Sequence, residues 1–155
     1  MLRYLAAALA ATIAVPALAN GPLTVESSML TLQKRAAADG TTTVSLVRAA
    51  KAVPGDKVVM RLAYRNTGSA AIGNVVLSNP VPKGIAYRAP AAGSAAPELS
   101  VDGQTFGPLA ALRVTAADGR QRAATTDDVT HVRWRIASPI AAGAQGQVSF
   151  EGLLK

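Results

Sequence analysis

Lys57-Val58-Val59-Met60-Arg61-Leu62-Ala63-Tyr64-Arg65 decides the fold. Val58, Met60, Leu62 and Tyr64 fall on one side of an extended chain. Arg61 and Arg65 fall on the other, with Val59 and Ala63. A period of two over nine residues is the pattern of a half-buried β-strand. Its ends are marked by residues that favour turns: Pro54-Gly55-Asp56 before it and Asn66-Thr67-Gly68-Ser69 after it.

The same alternation recurs on either side. Val132, Trp134 and Ile136 alternate with His131, Arg133 and Arg135, and Gln147 to Glu151 alternates around Val148 and Phe150. Shorter β-capable runs are Leu23 to Leu32, Thr41 to Val47, Asn74 to Ser78, Ile85 to Arg88, Glu98 to Val101 and Leu112 to Thr115. The expected core is Val58, Met60, Leu62, Tyr64, Val75, Leu77, Ile85, Val132, Trp134, Ile136, Val148 and Phe150. Many short strands with Gly and Pro between them describe an all-β chain, a sandwich or barrel of antiparallel sheets. A helical alternative fails because proline breaks nearly every connection, at Pro54, Pro80, Pro82, Pro90, Pro97, Pro108 and Pro139. One short helical turn is expected around Lys34 to Ala38. Ala89 to Pro97 is expected as a low-complexity, mobile loop, Ala141 to Ala144 as a loop, and Ala116 to Asp128 as irregular polar chain.

The first nineteen residues have a different character. Arg3, the apolar run Leu5 to Val15 and the small residues of Ala17-Leu18-Ala19 follow the order of a secretory signal peptide, expected as a helix and cut before Asn20. An uncleaved N-terminal anchor is the alternative, but the run is short against the ~20 residues that span a bilayer. Export to the periplasm, the cell surface or the medium is the expectation, with no integral membrane segment left after cleavage. The chain then divides into residues 1–19 as leader, 20–53 as N-terminal strands packed on the sandwich, and 54–155 as the main domain.

The 155 residues carry 16 Lys and Arg against 9 Asp and Glu, a formal charge of +7. Such a balance attracts anionic glycan or lipid headgroups outside a cell. Nucleic acid is not expected, because no aromatic residues interleave with the arginines for base stacking. The absence of cysteine excludes disulfides, thiolate metal sites, a cysteine nucleophile and a lipidated cysteine.

From Pro54 onward the chain resembles the bacterial conserved-repeat domains of the domain-of-unknown-function-eleven family. Pro54-Gly55-Asp56 leads into Val58 to Tyr64 and Arg65-Asn66-Thr67-Gly68. Asn74-Val75-Val76-Leu77-Ser78-Asn79-Pro80 and Val81-Pro82-Lys83-Gly84-Ile85-Ala86-Tyr87 follow, then Trp134 and Ile140-Ala141-Ala142-Gly143. The resemblance covers about two thirds of the chain. It implies an immunoglobulin-like antiparallel sandwich, exported, with a structural or adhesive role and no catalytic residues to carry over. The chain departs from the family in having a single copy, in its extension Asn20 to Val53, and in Asn79 where an Asp is common.

Sites of chemistry are sparse, and neither enzyme activity nor a cofactor is expected. The single histidine, His131, sits at an outward strand position beside Thr130, and no Gly-x-Ser-x-Gly elbow occurs. A hydrolase would need a nucleophile near His131. Asp127-Asp128 with Asp118 or Asp102 would have to converge to hold Ca²⁺, and they lack EF-hand spacing; zinc has one His and no Cys, so no metal is expected. Arg61, Arg65, Arg133 and Arg135 are the candidate anion-binding residues, on the condition that their two strands share a sheet. Sheet edges are the other candidate surface, for a protein partner or for self-association. The Val148–Phe150 strand, close to the C-terminus, is expected at an edge or beside a terminus, and Leu23 to Leu32 pairs either internally or with a neighbour.

Overall fold

The computed structural model describes residues 21–36, 42–48 and 53–155. Residues 1–19, expected as a leader, lie outside the described residues. The chain is all-β, with strands β1 (Leu23–Ala36), β2 (Thr42–Arg48), β3 (Lys57–Asn66), β4 (Val76–Pro80), β5 (Ile85–Pro90), β6 (Glu98–Ser100), β7 (Arg113–Thr115), β8 (Gln121–Ala123), β9 (His131–Arg135) and β10 (Gln145–Leu154). Short 3₁₀ turns occupy Leu109–Ala111 and Thr126–Asp128.

Two sheets enclose one core. The larger has the order β2-β1-β3-β10-β5, the smaller β4-β9-β6, and β7-β8 forms a separate hairpin; every pairing is antiparallel. The alternation along β3 and β9 explains the arrangement. Val58, Met60 and Leu62 face inward from one sheet, and Val132 and Trp134 face inward from the other. Phe150 and Val132 are wholly buried. Phe150 is the hub, with its ring 5.6 Å from that of Tyr87 and 6.4 Å from that of Trp134. Two expected core residues, Tyr64 and Ile136, are only partly buried and pack against the margin of this cluster.

Turn chemistry closes the strands. Gly55 adopts φ +95°, open to glycine and costly for other residues. Its N–H donates to the Leu154 carbonyl at 2.8 Å, while the Asp56 carboxylate accepts from the Val53 N–H at 2.9 Å. Asn66, expected as an ordinary turn residue, is fully buried. Its Nδ2 donates to the carbonyls of Ala70 and Ile140 at 2.8 and 2.9 Å, and its Oδ1 accepts from the Gly68 N–H at 2.9 Å.

Several expectations are corrected. Lys34 to Ala36 continue β1, paired with Val44, Thr43 and Thr42, where a helical turn was expected; residues 37 and 38 lie outside the described residues. The strand expected from Asn74 starts at Val76, because Asn74 takes the left-handed conformation at φ +55°. Pro80 ends β4, which is an edge strand where a missing N–H is tolerated. Ala89 and Pro90 extend β5, and the remainder of the alanine-rich stretch is held down by side-chain bonds to Trp134 and Ser149. Gln121–Ala123, within the stretch expected as irregular, is β8, exposed throughout. The Val148–Phe150 strand is not an edge: β10 runs between β3 and β5. Closeness to a chain end says nothing about position within a sheet.

Candidate functional site

The four candidate arginines divide into two pairs on opposite outer surfaces. Arg61 and Arg65 lie on β3 of the five-stranded sheet, Arg133 and Arg135 on β9 of the three-stranded sheet. Alternation places each of them outward, yet pleat parity carries no information on which sheet a strand joins. The condition of a shared sheet is therefore not met.

Arg133 and Arg135 converge instead on Glu98, the residue opposite Arg133 on β6. Arg133 Nη2 lies 2.6 Å and Arg135 Nε 3.2 Å from the Glu98 carboxylate. The hydrogen bond from Arg133 does most to hold the Glu98 carboxyl below the usual range, with burial opposing and Arg135 adding to the fall. Arg133 also stacks over Phe106, 4.0 Å from the ring centroid, a cation–π contact. A guanidinium already bonded to a carboxylate and an aromatic face has little capacity left for an external anion.

The expected loop carboxylates are likewise committed, in three separate turns. Asp127 pairs with Arg88 at 2.7 Å. Asp128 accepts two bonds from Arg122, both 2.7 Å, and caps the turn begun by Thr125. Asp118 accepts from the Arg120 N–H. Asp102 accepts from the N–H groups of Gln104 and Thr105, both at 2.8 Å, and from the Ser100 hydroxyl at 2.9 Å. Those bonds, the Gln104 N–H foremost, pull the Asp102 carboxyl down to about 2. Among the described residues no three His, Cys, Asp or Glu side chains group as metal ligands.

His131 is half-buried, its Nδ1 hydrogen-bonded to Thr130 Oγ1 at 3.0 Å. Gly103, at φ +76°, packs under the ring so closely that a Cβ there would lie 2.9 Å from Cε1. Ser100 stands opposite His131 across the sheet, a proximity the sequence does not announce. The Ser100 hydroxyl is fully buried, donates to Asp102, and accepts from the Gly103 N–H at 2.8 Å. It works as a bracket for the β6 turn.

Two features of the five-stranded sheet stand apart from these closed networks. The first is the margin of β1. Among the described residues β2 pairs only with Leu30–Ala36, so Leu23–Met29 is paired with β3 on one side and with no strand on the other. The Thr67 N–H donates to the Pro22 carbonyl at 2.6 Å, just beyond the Leu23–Asn66 pair. Hydrogen-bonded pairs alternate along an antiparallel ladder, so the backbone groups of Thr24, Glu26 and Ser28 turn toward β3. Those of Leu23, Val25, Ser27 and Met29 turn toward the open margin. Residues 24–27 are exposed, Val25 at 49%.

The second is a groove of about 260 Å³ on the outer surface of the same sheet. Lys57, Val59 and Arg61 form its floor, with Leu46, Ala91 and Glu151 along its walls. Val59, expected to face solvent beside Arg61, is buried with Leu30 and Ala91 in a second small apolar cluster. The strand period cannot disclose this, because the covering residues come from β1 and from the Ala91 corner, far away in the chain.

No helix of the described residues is long and apolar enough to cross a membrane. No protein-family model, no curated protein and no solved structure matches this chain.

Proposed function

We propose that this chain is an exported, non-enzymatic structural module of the cell envelope or surface that assembles with a second copy of itself through the free margin of β1. One observation carries the proposal: among the described residues, Leu23–Met29 presents a row of outward backbone donors and acceptors on a largely exposed strand paired only on its other side. Sheet edges of that kind accept a further strand. The leader-like segment 1–19 supports export, and the resemblance to exported repeat domains supports a structural role. The carboxylates and arginines of the loops and of the smaller sheet are mostly occupied with one another, which favours a role in presentation and assembly.

A two-fold antiparallel register centred on Val25 suits this margin. It pairs Val25 with its own counterpart and Leu23 with Ser27, using backbone groups that already turn outward. Glu26 then lies opposite Thr24, so no like charges oppose one another. The two exposed Val25 side chains meet on the same side of the joined sheet.

Val25→Pro is the discriminating variant. It removes an N–H that faces the margin and leaves the β1–β3 ladder intact, as proline in an edge strand does. Sedimentation of residues 20–155 across a concentration series is expected to show a monomer–dimer equilibrium that Val25→Pro abolishes while the circular dichroism stays the same. A wild-type chain that stays monomeric at the highest attainable concentration overturns the assembly. Fractionation of producing cells with mass spectrometry of the N-terminus checks export: a product beginning at Met1 in the cytosol overturns it.

A further inference from the structure

The groove on the outer surface of the five-stranded sheet has the construction of a small-ligand site. Arg61 differs there from most arginines of the chain, and from Arg65 on the same strand in having a buried donor. Arg88, Arg120, Arg122, Arg133 and Arg135 each reach a carboxylate. Arg61 reaches none among the described residues, and its Nε is buried without a hydrogen-bond acceptor. A buried donor on a cation with nothing to bond is costly in a finished structure, and a ligand that supplies the acceptor relieves that cost.

The surroundings define the acceptor. Across the ladder Arg61 lies between Ser28 on β1 and Ser149 on β10, whose side chains share its face. Two residues along β3, Val59 lies between Leu30 and Glu151 in the same way. The groove thus has a hydroxyl-flanked guanidinium at one end and an apolar patch of Val59, Ala91 and Leu46, backed by the buried Leu30, at the other. Lys57 and Glu151 line the apolar end, so the three charged groups of the groove sum to one positive charge. A single negative charge balances them; a doubly charged group is repelled by Glu151.

The wall is already in place. Ser149 N–H donates to Ser94 Oγ at 2.8 Å, Ala91 N–H to the Ser149 carbonyl at 3.2 Å, and Trp134 Nε1 to the Ala95 carbonyl at 2.9 Å. These bonds fix the alanine-rich corner against β10 and, through Trp134, against β9, and a pre-formed wall spares a ligand the cost of ordering it.

The geometry points to a binding site for an amphipathic monoanion, with its anionic head on Arg61 and a short alkyl chain over Val59, Ala91 and Leu46. The volume lies just below the ~300 Å³ at which sites for drug-sized ligands begin, which suits a short chain. This site does not depend on assembly through β1, which uses a different strand margin.

Octanoate is the probe, titrated into residues 20–155 and followed by amide chemical shifts. Saturable shifts are expected at Val59, Arg61, Ser149 and Ala91, with acetate and 1-octanol each weaker by about tenfold or more, since each offers only one half of the recognition. Octyl phosphate in its dianionic form is expected to bind less well than octanoate. Arg61→Gln is expected to weaken octanoate by about tenfold or more, and Arg135→Gln, on the other sheet, to leave it unchanged. Leu46→Glu, at an exposed position where folding is not at stake, is expected to repel the ligand. Absence of saturable binding to the wild-type chain overturns the site, as does octanoate bound equally well by Leu46→Glu or by a folded Arg61→Gln. Acetate bound as tightly as octanoate overturns the amphipathic assignment.

Discussion

Trp134 Nε1 donates to the carbonyl of Ala95 at 2.9 Å, so the largest side chain of the core also anchors the alanine-rich corner that follows β5. Trp134 is 2% exposed and packs against Phe150. Trp134→Ala removes both contributions and is expected to cost about 3–5 kcal/mol in denaturant unfolding. Trp134→Phe keeps most of the packing and orphans the carbonyl, at about 1–2 kcal/mol. The tether itself is tested by limited proteolysis: Trp134→Phe should open a cleavage site within Ala91–Pro97 that the wild-type chain protects. Equal protection in both would show that the corner is held by other contacts.

Asn66 closes the end of β3 by binding three separate backbone groups with one side chain, two of them across the β4 side of the loop and the β10 approach. Asn66→Ala takes the partner from the Ala70 carbonyl and the Gly68 N–H and one of two donors from the Ile140 carbonyl, which keeps the Ile72 N–H; the cost expected is about 2–4 kcal/mol. Asn66→Asp presents a carboxylate to the same two carbonyls, so its charged form is disfavoured by burial and by the facing acceptors. Its folded pKa therefore rises above the unfolded value, and the variant should lose stability, relative to wild type, as pH rises from about 4 to 7. A penalty independent of pH would show that the carboxylate escapes to water.

How much of this fold could be read from residue order depends on burial on one side only. β3 and β9 were legible because apolar and polar residues alternate along strands with one face on the core. β8 was not, since Gln121–Ala123 is exposed on both faces and carries no apolar period. The alanine-rich corner was misleading for a different reason: alanine has no strong local preference for strand, and what holds Ala91 and Ala95 are Ser149 and Trp134, more than 35 residues away. The same long range hid the groove. Arg61 was legible as an outward cation of β3, whereas its neighbours Leu30, Ala91 and Ser149 are assembled only by sheet order. Arg133 and Arg135 were equally outward in the pattern, and Glu98, contributed by another strand, takes up their charge.

Gly152 sits where the β10–β5 register shifts, buried between two strands. A Cβ at this position would lie 2.5 Å from Ile85 Cγ2 and 3.2 Å from the Ala86 carbonyl oxygen. The backbone oxygen cannot move without disturbing β5, so Gly152→Ala is expected to destabilise the chain by about 1–3 kcal/mol. The companion substitution Gly152→Ala with Ile85→Leu, which removes the Cγ2 branch from the crowded side and keeps the volume, should recover part of the loss. No recovery in the double variant would place the conflict at the Ala86 carbonyl alone.

Asp102 and Asp128 make stability depend on acid. The N–H groups of Gln104 and Thr105 and the Ser100 hydroxyl hold the Asp102 carboxyl at about 2, and the Arg122 guanidinium with the Thr125 groups holds that of Asp128 far below the carboxylate range. In the unfolded chain both titrate near ~3.9. A carboxyl depressed on folding stabilises the native state fully above its unfolded value and loses that contribution as pH falls toward its folded one. Thermal unfolding of the wild-type chain should therefore be flat from neutral pH to about 5 and fall steeply between about 4 and 2. Asp102→Asn and Asp128→Asn should each be less stable at pH 7 and show a shallower acid limb, with the gap to wild type narrowing as the pH drops. Curves that stay parallel down to pH 2 would mean that these turns do not persist in solution as the structure draws them.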